Sequence, residues 1–409
     1  MPFTAEDCER ARRDFPALGR IVEGQALAFL DGPAGTQVPE GVIEAVSGYY
    51  RTSNANTHGE FPTSRESDRL LQETRETVAA FLGAPSWRQV SFGQNMTTLN
   101  YALSHALVKT MAPGDEIVVT QLDHEANRGP WLALQERGIV VREVALRPDG
   151  TLDPGDFARQ VTARTRLVAV VMASNALGTV TDLAPARRLA RQAGAWLLLD
   201  AVHYAAHLPL DVQELDADFL LCSAYKFYGP HVGILYTRPG LLEQLPTERL
   251  RTQEEQAPWR FEMGTLNHAA LMGVKATVEY LAAWGEGESL RQRLVSAMDG
   301  IAAYEHGLGA YYIDEVKRIP GVTVWGPDFS GPRAPTVSIT IDGVHPAEAA
   351  RRLGEKGIQV WDGNFYALRP VEALGLAEKG GLIRTGIVMY NTRQEVDRLL
   401  EAVAEIAVR

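Results

Sequence analysis

Lys109, Lys226, Lys275, Lys317, Lys356 and Lys379 are the only lysines in this 409-residue chain. Five of them fall in helical or loop contexts. Lys226 lies in Ser223-Ala224-Tyr225-Lys226-Phe227-Tyr228-Gly229-Pro230, between one apolar strand and the next. An amine there is partly desolvated, which favours its neutral form and so a nucleophile or Schiff-base former. The alternative is a snorkelling loop lysine. Asp200 ends the apolar run Trp196-Leu197-Leu198-Leu199. An acid at that point can pair with a cationic ring nitrogen, cap the next helix or bind a metal. Asn175 and His124 also follow apolar runs. Each is weak by itself, since a lone histidine is more often packed than catalytic. Together, four polar residues following strands of one sheet would converge on one edge.

The strands that must position them read as short buried runs: Glu116–Gln121, Arg166–Ala173, Ala195–Asp200, Asp218–Ser223 and Val232–Thr237. The segment Leu183–Gly194 between two of them has helical spacing, and Gly194 ends it. Apolar strands alternating with helices predict a parallel sheet covered on both faces, with ligands beyond the strands' carboxyl ends. From Asn267 the pattern changes. Helices are predicted over Asn267–Trp284 and Glu288–Leu308, then strands Val322–Trp325 and Thr336–Ile341. A helix at Pro346–Lys356 follows, then strands Gln359–Trp361 and Ile383–Val388. The last helix opens on a capping box, Thr392-Arg393-Gln394-Glu395, with Val396, Leu399, Leu400 and Val403 on one face.

Composition narrows the class. Forty Lys and Arg against 51 Asp and Glu give a formal charge of −11, and hydrophobic residues make up 45%. That is globular rather than disordered composition, and the acidic balance argues against a nucleic-acid partner. Two cysteines, Cys8 and Cys222, build neither a disulfide framework nor a four-cysteine metal site. No apolar stretch approaches the ~20 residues of a membrane helix, and Met1–Asp7 does not read as a signal peptide. The expectation is a cytoplasmic protein that binds no metal and no membrane.

The sequence resembles the class V aminotransferase family, and within it the cysteine desulfurase-like group. Asp123-His124-Glu125-Ala126-Asn127, Ser174-Asn175-Ala176-Leu177-Gly178-Thr179, Asp200-Ala201-Val202-His203 and Ser223–Lys226 carry the likeness. Phe261-Glu262-Met263-Gly264-Thr265 and Arg384–Thr392 extend it. The resemblance implies the α/β fold type I of enzymes using pyridoxal 5′-phosphate (PLP): a mainly parallel central sheet flanked by helices, with a smaller α+β C-terminal domain. It implies a large domain at 25–289, a small one at 1–24 and 290–409, and a homodimer with shared active sites. By the same resemblance Lys226 would hold PLP covalently and then move the substrate's α-proton. Asp200 would hold the pyridine nitrogen protonated, and His124 would stack on the ring. Asn175 and His203 would contact its phenolic oxygen; the usual desulfurase residue at the latter position is glutamine. Asn95-Met96-Thr97, opening a helix, would cradle the phosphate with Ser223 and Tyr225, and Thr265 would reach the phosphate of a partner subunit. Arg384 would grip the α-carboxylate of a small amino-acid substrate. Ala34 and Gly35 would lie near that carboxylate, and Asn56 with His58 at the pocket mouth.

One element of the desulfurase pattern is missing. The loop that carries the persulfide cysteine reads Gly363-Asn364-Phe365-Tyr366-Ala367, with Tyr366 at the cysteine position, and no cysteine follows Cys222. The reading is therefore carbon–sulfur or carbon–selenium lyase chemistry by β-elimination, with Tyr366 a candidate proton donor to the leaving group. Desulfuration to alanine, transamination, epimerisation and a PLP-loaded binding subunit without turnover are the alternatives.

Overall fold

The structure, a computed structural model, describes residues 3–408; Met1, Pro2 and Arg409 lie outside it. Seven strands form the central sheet. In spatial order they are Val90–Gly93, Gly233–Thr237, Phe219–Ser223, Trp196–Asp200, Thr165–Val171, Glu116–Thr120 and Val140–Val144. The last five run parallel. Gly233–Thr237 does not: it is antiparallel to both its neighbours. Residues 224–232, which lead into it, are too few for the dozen or more that a parallel crossover needs. Val140–Val144 is absent from the sequence reading because it is a half-exposed edge strand, Val-Val-Arg-Glu-Val, without a continuous apolar run.

Alternation along the strands explains why the sheet is buried on both faces. Leu167, Ala169, Leu198 and Leu221 enter one core with Leu103 and Leu107 of the helix Met96–Val108 and with Trp131. Val168, Val170, Leu197, Leu199 and Leu220 enter another with Val274, Val278 and Leu281 of the helix His268–Ala282. Successive side chains point to opposite faces, so each strand feeds both cores. The predicted helix at 183–194 runs Ala184–Ala193 and stops at Gly194, whose φ is 66°.

A four-stranded antiparallel sheet follows, ordered Val322–Trp325, Thr336–Ile341, Leu382–Gly386, Trp361–Gly363. Helices Leu290–Val316 and Arg393–Ala407 cover it, burying Tyr312, Ile313, Leu399 and Val403 against Val337 and Ile339. The first of these runs past the predicted end at Leu308, since no proline stops it. The second opens on the expected box: Thr392 Oγ1 accepts from Glu395 N–H at 3.2 Å, and the Glu395 carboxylate accepts from Thr392 N–H at 3.0 Å. The predicted strand at 359–361 divides in two: Ile358–Gln359 pairs with Ala28–Phe29 near the start of the chain, while Trp361–Gly363 joins the small sheet. Among the described residues no helix is long and apolar enough to cross a membrane.

The two sheets meet where Gly178 packs on Thr336. Gly178 has φ of 72°, and an added Cβ would lie 2.4 Å from the Thr336 carbonyl oxygen and 2.8 Å from that of Ala334. Backbone strain and overpacking together put the cost of Gly178→Ala at about 2–4 kcal/mol. Thermal or urea unfolding should show that loss, and a variant as stable as the parent would disprove the tight approach.

Candidate active site

The carboxyl ends of the parallel strands deliver the predicted residues to one pocket. Asn95, Met96, Thr97, His124, Asn175 and Asp200 line it. His203, Ser223, Tyr225 and Lys226 complete it. Each follows a strand for the reason expected: a parallel sheet covered by helices opens only at its ends.

Lys226 ends a short turn after Phe219–Ser223 and is buried. Its Nζ donates to the carbonyl oxygens of Pro33 and Ala34, the latter at 3.1 Å. Burial, reinforced by the Arg384 guanidinium, lowers its pKa to about 7, while Asp200 and Asp31 pull the other way. The amine is thus a usable nucleophile near neutral pH. Asp200 is buried too, and burial raises its pKa to about 6; Val202 N–H donates to its Oδ1 at 2.9 Å. A carboxylate held there gains from a nearby cation, which a protonated pyridine supplies.

His124 caps the helix Glu125–Leu132, its Nδ1 accepting from Ala126 N–H at 3.0 Å. Burial and the Lys226 and Arg384 charges bring its pKa down to about 4. The ring is therefore neutral at pH 7 with its proton on Nε2, which makes it a hydrogen-bond donor and not a cation. His203 Nε2 lies 2.8 Å from Thr336 Oγ1.

Arg384, in the strand Leu382–Gly386, donates from Nη1 to the Asn175 carbonyl oxygen at 3.1 Å, and its Nε is buried without a partner. Its guanidinium lies 4.2 Å from the centre of the Phe365 ring. Asn175 Nδ2 donates to the Phe365 carbonyl oxygen at 3.0 Å, and Glu125 N–H to that of Tyr366 at 2.8 Å. Phe365 and Tyr366 both have positive φ, 57° and 58°. Two successive left-handed residues turn the loop so that Phe365 faces Arg384, while Tyr366 stays 74% exposed, its ring 5.8 Å from that of His124.

The pocket fits PLP. Asn95 caps the 13-residue helix Met96–Val108, its Oδ1 accepting from Thr98 N–H at 2.9 Å, and the helix N-terminus with the Thr97 N–H suits a phosphate. Ser223 Oγ accepts from Met96 N–H at 3.1 Å, leaving its own proton for an anion. Gly233 lets this turn approach the sheet, since a Cβ there would lie 2.3 Å from the Asn95 backbone. Asn175 Oδ1 is buried without a partner, as a polar atom awaiting a ligand is.

Three predicted residues are not brought to this pocket within the chain. Asn56 and His58 sit in an exposed turn tied to the helix Pro62–Leu82: Ser64 Oγ donates to the Asn56 carbonyl oxygen, and His58 N–H to the Asp68 carboxylate. His58 and Thr265 instead line a separate surface cavity. Glu262, paired with Arg75 at 2.6 Å, anchors the Thr265 segment there. Ala34 is reached by the Lys226 amine, and Gly35 packs on the Tyr225 ring. Sequence reasoning missed Asp31, Phe365 and Thr336. Asp31 follows the apolar run Ala28-Phe29-Leu30, the same signal that marked Asp200; nothing local marks the other two.

Comparison with known proteins gives the family and the fold. The aminotransferase class-V family matches over residues 28–399. A cysteine desulfurase of Enterobacter sp. (strain 638) is 35% identical over 97% of this chain and 98% of its own, and one of Serratia proteamaculans is 33% identical at the same coverage. The solved structure of a cysteine desulfurase from Thermococcus onnurineus NA1 superposes with a TM-score of 0.87 at 27% identity, covering 98% of both chains. The chain belongs to the class V aminotransferase family and is a PLP-dependent enzyme.

Proposed function

We propose that the chain is a carbon–sulfur or carbon–selenium lyase that cleaves cysteine or a related β-substituted amino acid by β-elimination. The observation that carries this is a complete amine–acid–arginine site without a thiol. Tyr366 occupies the cysteine position, and Cys8 and Cys222 are both buried. Burial raises the Cys8 thiol to about 11 and pushes Cys222 up further, so neither forms a thiolate at neutral pH. The likeness to proteins named cysteine desulfurase favours a second reading, desulfuration to alanine; that route needs an acceptor thiol from outside the chain.

In this reading Asp200 holds the pyridine nitrogen, Asn175 and His203 the phenolic oxygen, and Asn95, Met96, Thr97, Ser223 and Tyr225 the phosphate. The bound cofactor supplies an electron sink for the pair left on Cα. Arg384 grips the α-carboxylate, and Lys226 as free amine takes the α-proton. The β-carbon–sulfur bond then breaks and the sulfur leaves with a proton, giving sulfide, pyruvate and ammonia with uptake of one water. Tyr366 is so exposed that water can replace its hydroxyl, so the leaving-group proton falls to His124 Nε2–H. We place the working enzyme in the cytoplasm as a homodimer. The loops 54–64 and 247–262, with the exposed Leu250 and Met263 beside Thr265, form its pairing surface. The units 25–289 and 290–409 with 1–24 are its two domains.

The holoenzyme given L-cysteine under reducing conditions should release pyruvate and ammonia with sulfide; alanine as the organic product would defeat elimination. Tyr366→Phe should keep turnover within about threefold, whereas His124→Phe, which keeps a ring but no N–H, should lose about 100-fold or more. A large loss in Tyr366→Phe with little loss in His124→Phe would return the proton to Tyr366. Capture of PLP by the apoprotein requires the neutral Lys226 amine. Its rate should rise with pH through about 7 and level off above; a midpoint near 10 would show that burial does not tune this lysine.

A further inference from the structure

His203 stands where the desulfurase pattern has glutamine, and the two side chains differ in one way that matters. A glutamine amide carries a donor and an acceptor at fixed places, while a neutral imidazole carries a single N–H whose position its other nitrogen's partner decides. His203 is buried, and its desolvation, the nearby His207 and the Lys226 and Arg384 charges all hold it neutral. Behind it, His207 lies at 4.8 Å ring to ring and bonds the buried Glu305 through Nδ1 at 2.7 Å. The partner that His203 itself has is Thr336, fully buried at the start of a strand of the small sheet and 2.8 Å from Nε2. The nitrogen left for the pocket is Nδ1.

Resting on the proposed contact between His203 and the phenolic oxygen of PLP, we propose that Thr336 is a positioning residue for the cofactor: its hydroxyl donates to His203 Nε2, holds the ring proton on Nδ1, and so presents a donor to that oxygen. The opposite tautomer would set a lone pair against an anionic oxygen. A hydroxyl from the small sheet thereby does for histidine what the amide group of glutamine does unaided.

The test is a pH titration of the visible absorbance of holoenzyme loaded with PLP. A donor at the phenolic oxygen stabilises its negative charge, which is greatest once the adjoining Lys226 nitrogen has lost its proton. Removing the donor should therefore raise the midpoint. Thr336→Val, which keeps shape and strand propensity, should shift it upward by about one pH unit, and Thr336→Ser should restore it. In a His203→Gln background, Thr336→Val should leave the midpoint in place, because the amide brings its own donor; a purely structural role for Thr336 would move both backgrounds alike. An unmoved midpoint in Thr336→Val, failure of serine to restore it, or an equal shift in the glutamine background would each overturn the inference. A wild-type protein with no visible absorbance, or one whose absorbance survives Lys226→Ala, would overturn the cofactor reading and the inference with it.

Discussion

Most of the pocket is arranged around the burial of one amine. Taking Lys226 out of water costs the charged form more than the neutral one, and a second buried cation, Arg384, adds to that cost. Asp200 and Asp31 offset it only in part, because neither makes a hydrogen bond to the amine. The backbone carbonyls of Pro33 and Ala34 hold Nζ without supplying a charge. A carboxylate in direct contact would have locked the lysine as a cation. The same low-dielectric surroundings keep His124 and His203 neutral, so a single cause sets three protonation states together.

Arg384 shows how the two sheets share the site. Its strand belongs to the small sheet, yet its guanidinium bonds the Asn175 carbonyl in the loop after a central strand. Phe365 covers it from the loop that in desulfurases carries a thiol. The loop is thus engaged through its neighbour: Phe365 faces inward while Tyr366 faces water.

The central sheet was legible because its strands are continuous apolar runs, and the residues after them could be named from that pattern alone. Lys226, Asp200, Asn175 and His124 lie where strand ends put them. The edge strand Val140–Val144 escaped because exposure replaces its hydrophobic signal with mixed polarity. The antiparallel course of Gly233–Thr237 was concealed by composition, which reports burial and not direction, although the shortness of residues 224–232 does reveal it. Phe365 and Thr336 reach the site from the small sheet and its loops, and no local spacing encodes a contact made across more than a hundred residues. Asn56, His58 and Thr265 rested on resemblance, and one chain by itself does not bring them to the pocket.

The pairing of Ala28–Phe29 with Ile358–Gln359 bears on how the chain is made as well as how it stands. Arg12 likewise finds Glu395, and Cys8 the carbonyl of Asn391. Residues 28–29 therefore wait for residues 358–359, and the carbonyls that receive Lys226 lie just after that waiting strand. The central sheet can form during synthesis, but the segment that receives the amine gains its partners at 358–359 and Gly386 only later. Nascent chains thus pass through a stage with an assembled sheet and an unfinished catalytic pocket, in which contacts of such high sequence separation form late.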